Sequence, residues 1–415
     1  MTAIEFYDRT PIENVISALT VVPKKIIFIG ENSQMDDFEG IYKRFLAGRH
    51  LEIEVDYRGI NRHDVNGIAR KLSEIVEQEE ECLFDLTGGD DLVLVAMGMV
   101  YQKYKDVKNI QMQRFNVQSG RVTDCDNDGN PVYEGTPALS VRELVQLHGG
   151  AVRYGTVEEG YTYRWALTEP FTADVERMWN VCRADPRRWN VCMTAISEAG
   201  TELKGSTAVS TSLPWVESYL KQNELSLSVL FDLLHTLESE GLISDLCTDG
   251  RTLSYVCKDM QVKRCLDKAG TVLEMMVLVA AKRVTDKDGT PFYCDAANGV
   301  FIDWDGAFHS RDDLVKDTNN EIDAVLMRGL APVFISCKNG GVEDDELYKL
   351  DAVADRFGGE YVRKVLVATY LNKSEDSLRH FRQRAKDMKI KLVEGVYLLE
   401  PAGFEDMLRR LVMGE

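Results

Sequence analysis

The feature that most narrows the fold is a unit repeated through the first hundred residues: a short apolar run, a loop of small residues, then a helical stretch. Lys24–Ile29 (KKIIFI) runs into Gly30-Glu31-Asn32-Ser33, and a helix is predicted over Gln34–Leu46. A second strand is predicted at Leu51–Tyr57, with a helix from near Asn61 to about Glu80. The third unit is Cys82–Leu86, the loop Thr87-Gly88-Gly89-Asp90-Asp91 and an apolar helix Leu92–Lys103. Strands joined by helices of this length cannot pair as hairpins, so the pattern predicts a parallel, Rossmann-like sheet covered on both faces. Ligands of such sheets bind at the carboxyl edge of the strands, where both small-residue loops lie. Backbone N–H groups leading into a helix there suit a phosphate. No G-x-G-x-x-G follows the KKIIFI strand, which argues against an ordinary dinucleotide site.

The middle of the chain reads differently. Residues 107–135 alternate irregularly about a turn at Asp126-Asn127-Asp128-Gly129-Asn130-Pro131, a hairpin tip that lacks the glutamate a calcium loop requires. Ser140–Leu147 is a short helix, and Gly149-Gly150 marks a boundary. From Val175 to about Lys258 the pattern is helical, with Leu227, Leu230, Phe231, Leu234 and Leu237 on one face. The segment LCTDGRTLSYVC then forms a hairpin with Asp249-Gly250 at its tip. Helices followed by such a hairpin predict a winged-helix-like module, and its acidic balance favours a connector or dimer element over a DNA reader. The repeated WNVC at Trp179 and Trp189 has a spacing that no chemistry requires.

The chemistry concentrates in Asn319–Gly340, NNEIDAVLMRGLAPVFISCKNG. Glu321–Met327 alternates polar and apolar, Arg328–Pro332 turns the chain, and Val333–Cys337 returns to Lys338. The hairpin places Asp323 near the open end of one strand and Lys338 near the end of the next. A carboxylate there can hold a hard divalent cation, while a lysine orients water and offsets charge on a phosphate. Upstream, Gly270–Ala281 is an apolar helix whose single acid is Glu274. Phe301–Asp305 precedes the hairpin as a strand; Glu343–Phe357 follows as a helix, then the strand Lys364–Thr369 and the helix Ser374–Met388. The run Arg379–Lys386 reads as a charged helix face, or alternatively as a phosphate-binding rim. The net charge of −19 argues against attraction of the whole protein to nucleic acid. Nine scattered cysteines without a C-x-x-C pair fit buried thiols in a reducing cytoplasm. Neither a signal peptide nor a membrane span is read.

Two resemblances organise these observations. Asp323, Ser336 and Lys338 in this order resemble the D-x(n)-(D/E)-x-K core of the PD-(D/E)xK nucleases, with Ser336 where the second acid usually stands. Helix, three strands, helix, strand is that family's order. The DLTGG segment, the GENS loop and the opening FYDRTPIENVISAL resemble the CARF domains of CRISPR-associated effectors. FISCKNG beside NEID is similar to the subfamily that joins a CARF domain to a nuclease. The resemblance implies an α/β protein with three domains: a Rossmann-like CARF domain at 1–150, a winged-helix-like connector at 151–262, and a restriction-endonuclease-like α/β/α domain at 263–415. It implies Gly30, Glu31, Asn32, Ser33, Thr87, Gly88, Gly89 and Asp90 near a cyclic oligoadenylate, most directly the tetra-adenylate, bound across a homodimer axis. Asp90 and Asp91 stand where a phosphate partner such as lysine is often found. It implies Mg²⁺ or Mn²⁺ on Asp323 with Glu346 or Glu321, Glu346 being preferred because its helix starts just beyond Lys338. Glu274 would support the metal shell, Lys338 would position water, and Ser336 could offer only a neutral oxygen. The expected function is a cyclic tetra-adenylate-activated nuclease of type III CRISPR defence, acting on DNA or RNA. The competing expectation is a CARF regulator that binds DNA and carries an inactive nuclease fold.

Overall fold

The computed structural model describes residues 1–413 apart from 117–119, 126–129, 131–136, 156–160, 201–204, 308 and 310–318; the side chains of 32–38, 319 and 413 are also outside the description. Most of the expected turn at Asp126–Pro131 lies outside the described residues.

The N-terminal part runs β1 (Thr2–Phe6), α1 (Ile16–Thr20), β2 (Lys25–Gly30), α2 (Asn32–Gly48), β3 (Glu54–Gly59), α3 (Val65–Gln78), β4 (Glu81–Asp85), α4 (Asp91–Tyr104), β5 (Asn109–Asn116) and β6 (Arg121–Asp124). These strands form one sheet in the order β3-β2-β1-β4-β5-β6. All its pairs are parallel except β5–β6. The KKIIFI strand is therefore the second, not the first. β1 escapes a pattern reading because it is five residues long and carries Glu5, which the sheet buries opposite Asp85. Burial, with Asp85 adding to it, pushes the Glu5 carboxyl well above the usual range. The winding direction reverses between β1 and β4, the crevice position of such sheets.

α5 (Val141–Leu147), closed by a reciprocal Ser140–Glu143 cap, leads to β7 (Ala151–Val152). The central part is α6 (Glu169–Ala184), α7 (Pro186–Ala199), β8 (Ala208–Ser212), α8 (Leu213–Gln222), α9 (Leu227–Ser239), β9 (Ile243–Thr248), β10 (Thr252–Cys257) and α10 (Met260–Asp267). β8-β10-β9 form a small antiparallel sheet beside α8 and α9, the winged-helix arrangement. Trp179 and Trp189, the two WNVC tryptophans, are fully buried and donate to the carbonyls of Leu399 and Ala269 at 3.1 and 3.0 Å. The repeat thus pins α6 and α7 to distant parts of the chain.

The C-terminal part is α11 (Thr271–Arg283), β11 (Asp295–Asp303), β12 (Asn319–Arg328), β13 (Ala331–Gly340), α12 (Asp345–Gly358), β14 (Arg363–Leu371), α13 (Glu375–Asp387), β15 (Ile390–Val393) and α14 (Pro401–Met413). Its sheet has the order β15-β14-β13-β12-β11-β7, with β13, β14 and β15 parallel. The β12–β13 turn is tighter than expected: Gly329 and Leu330 suffice, and Pro332 pairs with Met327 inside the sheet. Asp323 therefore sits well within β12, not at its open end. α11 covers one face and α12 the other. Ala324, Leu326, Val333, Ile335 and Cys337 pack on the α11 side; Val325 and Phe334 pack with Leu347, Leu350 and Phe357 of α12.

Strict alternation fails at one point. Asn298 and Ala324 pair and face α11, yet Val300 and Ile322, also paired and two residues away, join the opposite core. The facing switches at Gly299 and Asp323, the one interruption in an otherwise continuous ladder. Gly299 makes this possible with φ +53°, a conformation costing other residues about 1–2 kcal/mol. Gly299→Ala should lower unfolding free energy by about 1 kcal/mol in urea titration, and Gly299→Asn by less, because asparagine tolerates that region. Equal stability of Gly299→Ala and wild type would contradict the strand switch.

Candidate active site and ligand edge

Asp323 is fastened to the neighbouring strand. Its Oδ2 accepts the Cys337 N–H at 2.6 Å and the Ser336 hydroxyl at 3.2 Å. Lys338 Nζ lies 4.0 Å from the same oxygen and 2.8 Å from Glu346 Oε2. Glu346, in the first turn of α12, also pairs with Lys349 at 3.2 Å. From the other side α11 brings Glu274, and Glu321 reaches the same cleft from β12. All six residues expected at the site, Glu274, Glu321, Asp323, Ser336, Lys338 and Glu346, are thus assembled. Glu346 pairs with two lysines and also acts through space on Asp323, whose charge is felt in turn by Glu274 and Glu321.

The electrostatics follow. Burial pushes Glu274 up to about 8, and the charges of Asp323 and Glu321 add to the effect. Asp323 is raised by burial and by Glu346, against the pull of Lys338 and the two hydrogen bonds. Burial also raises Glu321. Glu346 goes the other way: its own burial is outweighed by Lys338 and Lys349, which hold it below the usual range. Burial opposes the charge on Lys338, but Asp323 and Glu346 prevail and raise its pKa, so it stays an ammonium. Three mutually repelling carboxyls in one cleft are what a divalent cation would relieve, and hard oxygen donors suit Mg²⁺ or Mn²⁺. Among the described residues, no group of three or more His, Cys, Asp or Glu side chains is placed to hold a metal ion by itself. A magnesium-type site does not need one, since water completes its shell.

The ligand edge of the N-terminal sheet is equally built, and partly spoken for. Asp85 receives the Ser17 hydroxyl, the Gln113 amide and the Thr87 N–H and hydroxyl. Thr87 Oγ1 in turn accepts the Phe115 N–H at 2.9 Å. Gly89 N–H donates to Asp8 at 3.2 Å. Thr87 and Gly89 therefore shape the loop through internal bonds. Asp90 caps α4 and pairs with Arg62 at 2.7 Å, so the cation whose absence the Asp90-Asp91 pair suggested comes from the loop after β3. Gly30 ends β2, Glu31 is the N-cap of α2, and Asn32 and Ser33 open that helix. Sequence reasoning missed Asp8, Glu13 and Arg62. Asp8 and Glu13 follow the overlooked β1; Arg62 could have been found as the basic residue at the carboxyl edge of the next strand. Glu13 packs beneath Gly88, where an added Cβ would lie 2.8 Å from its Oε2, and its other oxygen accepts from Tyr361, between α12 and β14. Burial raises Glu13 to about 7, helped by Asp8, Glu360 and Asp85 and resisted by the Tyr361 bond.

Residues 270–398 match the family model of the Card1-like endonuclease domain. The match spans α11 to the segment after β15 and includes every residue of the Asp323 cluster. The whole chain superposes on protein VC1899 from Vibrio cholerae, with a TM-score of 0.74, 18% identity, and coverage of 100% of this chain and 99% of that one. It also superposes on Can2 from Sulfobacillus thermosulfidooxidans, solved with cyclic tetra-adenylate, with a TM-score of 0.66, 15% identity, and coverage of 99% and 97%. A type III CRISPR defence DNA nuclease activated by cyclic oligoadenylate aligns at a TM-score of 0.50 and 14% identity, over 90% of this chain and 46% of that one. No curated protein sequence matches the chain. The likeness fixes the CARF-and-nuclease fold. No helix among the described residues is long and apolar enough to cross a membrane.

The raised pKa of Glu274 sets a pH dependence. Below the ordinary value of 4.5 both folded and unfolded chains hold the proton. Between 4.5 and about 8 the unfolded chain ionises first, so stability falls as pH rises. In metal-free protein, wild-type Tm should drop relative to Glu274→Gln between pH ~5 and ~8. Parallel Tm profiles would mean that Glu274 does not carry the buried proton.

Proposed function

We propose that the protein is a metal-dependent nuclease switched on by a cyclic oligoadenylate in type III CRISPR defence, working as a homodimer. The observation that carries the proposal is the Asp323–Ser336–Lys338–Glu346 cluster, joined by Glu274 and Glu321, inside the region that matches the Card1-like endonuclease domain. In this reading Asp323, through Oδ1, holds Mg²⁺ or Mn²⁺ together with Glu274 and Glu321. When bound, the cation supplies Lewis-acid polarisation and a more acidic water. Ser336 does not replace the missing acid; it aims Asp323. Glu346 holds the Lys338 ammonium, which orients the attacking water and offsets charge gathering on the phosphate.

The switch belongs to the N-terminal edge. Backbone donors at Gly30–Asn32 and the Arg62 guanidinium suit the phosphates of a cyclic tetra-adenylate, the ligand carried by the Can2 structure. The Gly88–Glu13–Tyr361 contacts lead from that edge to the connection between α12 and β14, which flanks the catalytic β13. Val95 and Met99 of α4, one turn apart and 53% and 48% exposed, supply an apolar face for a dimer. The competing DNA-binding regulator gains support from Ser336. It is weakened by α9, the helix that would enter the groove, which has no lysine or arginine. The basic run on α13 is likewise committed: Arg379, Arg382 and Arg384 pair with Asp376, Glu394 and Asp344.

The test is cleavage of labelled DNA and RNA with and without cyclic tetra-adenylate and Mn²⁺. Cleavage should require both. Lys338→Ala should lose about a hundred- to a thousandfold in rate, the usual worth of a preorganised electrostatic group, while ligand affinity is kept. Arg62→Ala should weaken cyclic tetra-adenylate binding, read as a smaller ligand-induced rise in Tm. No cleavage under any combination, or full activity in Lys338→Ala, would reject the nuclease site.

A further inference from the structure

The two WNVC segments and the residue after Lys338 take no part in the chemistry so far, yet they meet. Where β13 leaves the cluster, its ladder with β14 is irregular. Lys338 pairs with Ala368 and Gly340 with Leu371, so Asn339 alone stands opposite Thr369 and Tyr370. A bulge of this kind interrupts the ladder and re-aims the side chains beside it. The Asn339 carboxamide is bonded at both ends. Its Oδ1 accepts the hydroxyl of the fully buried Thr369 at 2.7 Å, and that hydroxyl lies 3.5 Å from the Lys338 carbonyl. Its Nδ2 donates to the Ala269 carbonyl at 3.3 Å, with the buried Cys182 Sγ at 3.6 Å. A carbonyl only accepts, so the amide has one workable orientation. The Ala269 carbonyl also accepts from Trp189, and it lies just before α11, the helix of Glu274. Asn190 and Tyr370 close over Gly340, where an added Cβ would lie 3.1 Å from Asn190 Nδ2 and 2.9 Å from Tyr370 Oη. Cys182 belongs to the first WNVC segment, Trp189 and Asn190 to the second.

We propose that Asn339 is a positioning residue for Lys338: its carboxamide clamps the bulge between Thr369 of β14 and the Ala269 carbonyl, with the two WNVC segments as the outer jaw. The inference rests on the nuclease reading above and adds a residue to it. Lys338 reaches Asp323 and Glu346 on a long, flexible stem, so the place of its ammonium depends on where its backbone stands. That backbone is weakly held by the sheet. The β12–β13 ladder runs from Arg328–Ala331 only to Ala324–Ile335, and beyond it the β14 ladder is the one that breaks at Asn339. A clamp of hydrogen bonds suits this point better than apolar packing, since such bonds fix direction as well as distance. A misplacement of about 1 Å in a catalytic site is worth about a hundredfold in rate. Because Ala269 leads into α11, the same carboxamide ties the strand of Lys338 to the helix of Glu274. The two halves of the cluster thereby share one reference point.

The experiment uses full-length protein in excess over labelled DNA and RNA, with cyclic tetra-adenylate and Mn²⁺, and records Tm alongside. Asn339→Ala should lower the maximal cleavage rate about ten- to a hundredfold, with half-saturating protein and Mn²⁺ concentrations nearly unchanged. Thr369→Val keeps the shape and removes only the hydroxyl. It should lose rate in the same direction, and it carries the test if Asn339→Ala does not fold. The double variant separates positioning from plain stabilisation. Since Asn339 acts through Lys338, adding Asn339→Ala or Thr369→Val to Lys338→Ala protein should cost nothing further, because residues working as a unit are not additive. A side chain that only steadies the bulge would lower Tm and leave the rate of the folded protein unchanged. Wild-type rates in both single variants, or a double variant whose loss is the product of the two single losses, would overturn this inference while the nuclease reading stands. If the unmutated protein does not cleave, the nuclease reading falls and takes this inference with it.

Discussion

The site depends on the hydrogen bond from the Cys337 N–H to Asp323, with the Ser336 hydroxyl beside it. A carboxylate taken into a mostly apolar sheet would protonate unless its charge were paid for locally. Here burial still holds the carboxyl above its usual range, and a backbone amide, a hydroxyl and the Lys338 ammonium counter it only in part. Because the amide belongs to β13, the position of Asp323 is set by the β12–β13 register and not by a mobile side chain. The pairing of Ala324 with Ile335 and of Leu326 with Val333, packed under α11, locks that register. A slip of one residue would move the aspartate to the wrong face.

The remaining groups are arranged around this fixed point in two sets. On the α12 side the Lys338–Glu346–Lys349 chain satisfies its own charges, which keeps the lysine cationic and its position defined. On the α11 side Glu274 and Glu321 repel Asp323 and one another, with Lys268 and Lys338 in partial compensation. One half of the cluster is electrostatically closed and the other is open. The open half borders a cleft that Tyr163, Trp165 and Phe301 also line. Binding a divalent cation and a polyanion there would supply what the protein alone does not.

Much of this was legible in the sequence, for identifiable reasons. The helix–strand–strand–strand–helix–strand order, the parallel N-terminal sheet and the wing hairpin all come from long periodic segments, where hydrophobic pattern and turn residues agree. Asp323 and Lys338 stood out because a charged residue at each end of an apolar hairpin is costly without a purpose. What stayed hidden depended on partners distant in sequence. β1 was masked by Glu5, an acid that the sheet buries opposite Asp85. The pairing of Glu346 with Lys338 could not be read from its spacing, because proximity to Lys338 is compatible with either ligating a metal or pairing with the lysine. The facing switch at Gly299 breaks the two-residue period on which strand reading rests. Trp179 and Trp189 looked accidental because their acceptors, Leu399 and Ala269, lie far along the chain.

The central claim is that the open half of the carboxyl cluster is a divalent-cation site organised by Asp323. Mn²⁺ titration followed by electron paramagnetic resonance addresses it without any substrate. The account predicts saturable binding of Mn²⁺ to the full-length protein, lost in Asp323→Asn, weakened in Glu274→Gln, and retained in Glu346→Gln. Binding that disappears with Glu346→Gln but survives Asp323→Asn, or no saturable binding at all, would contradict it.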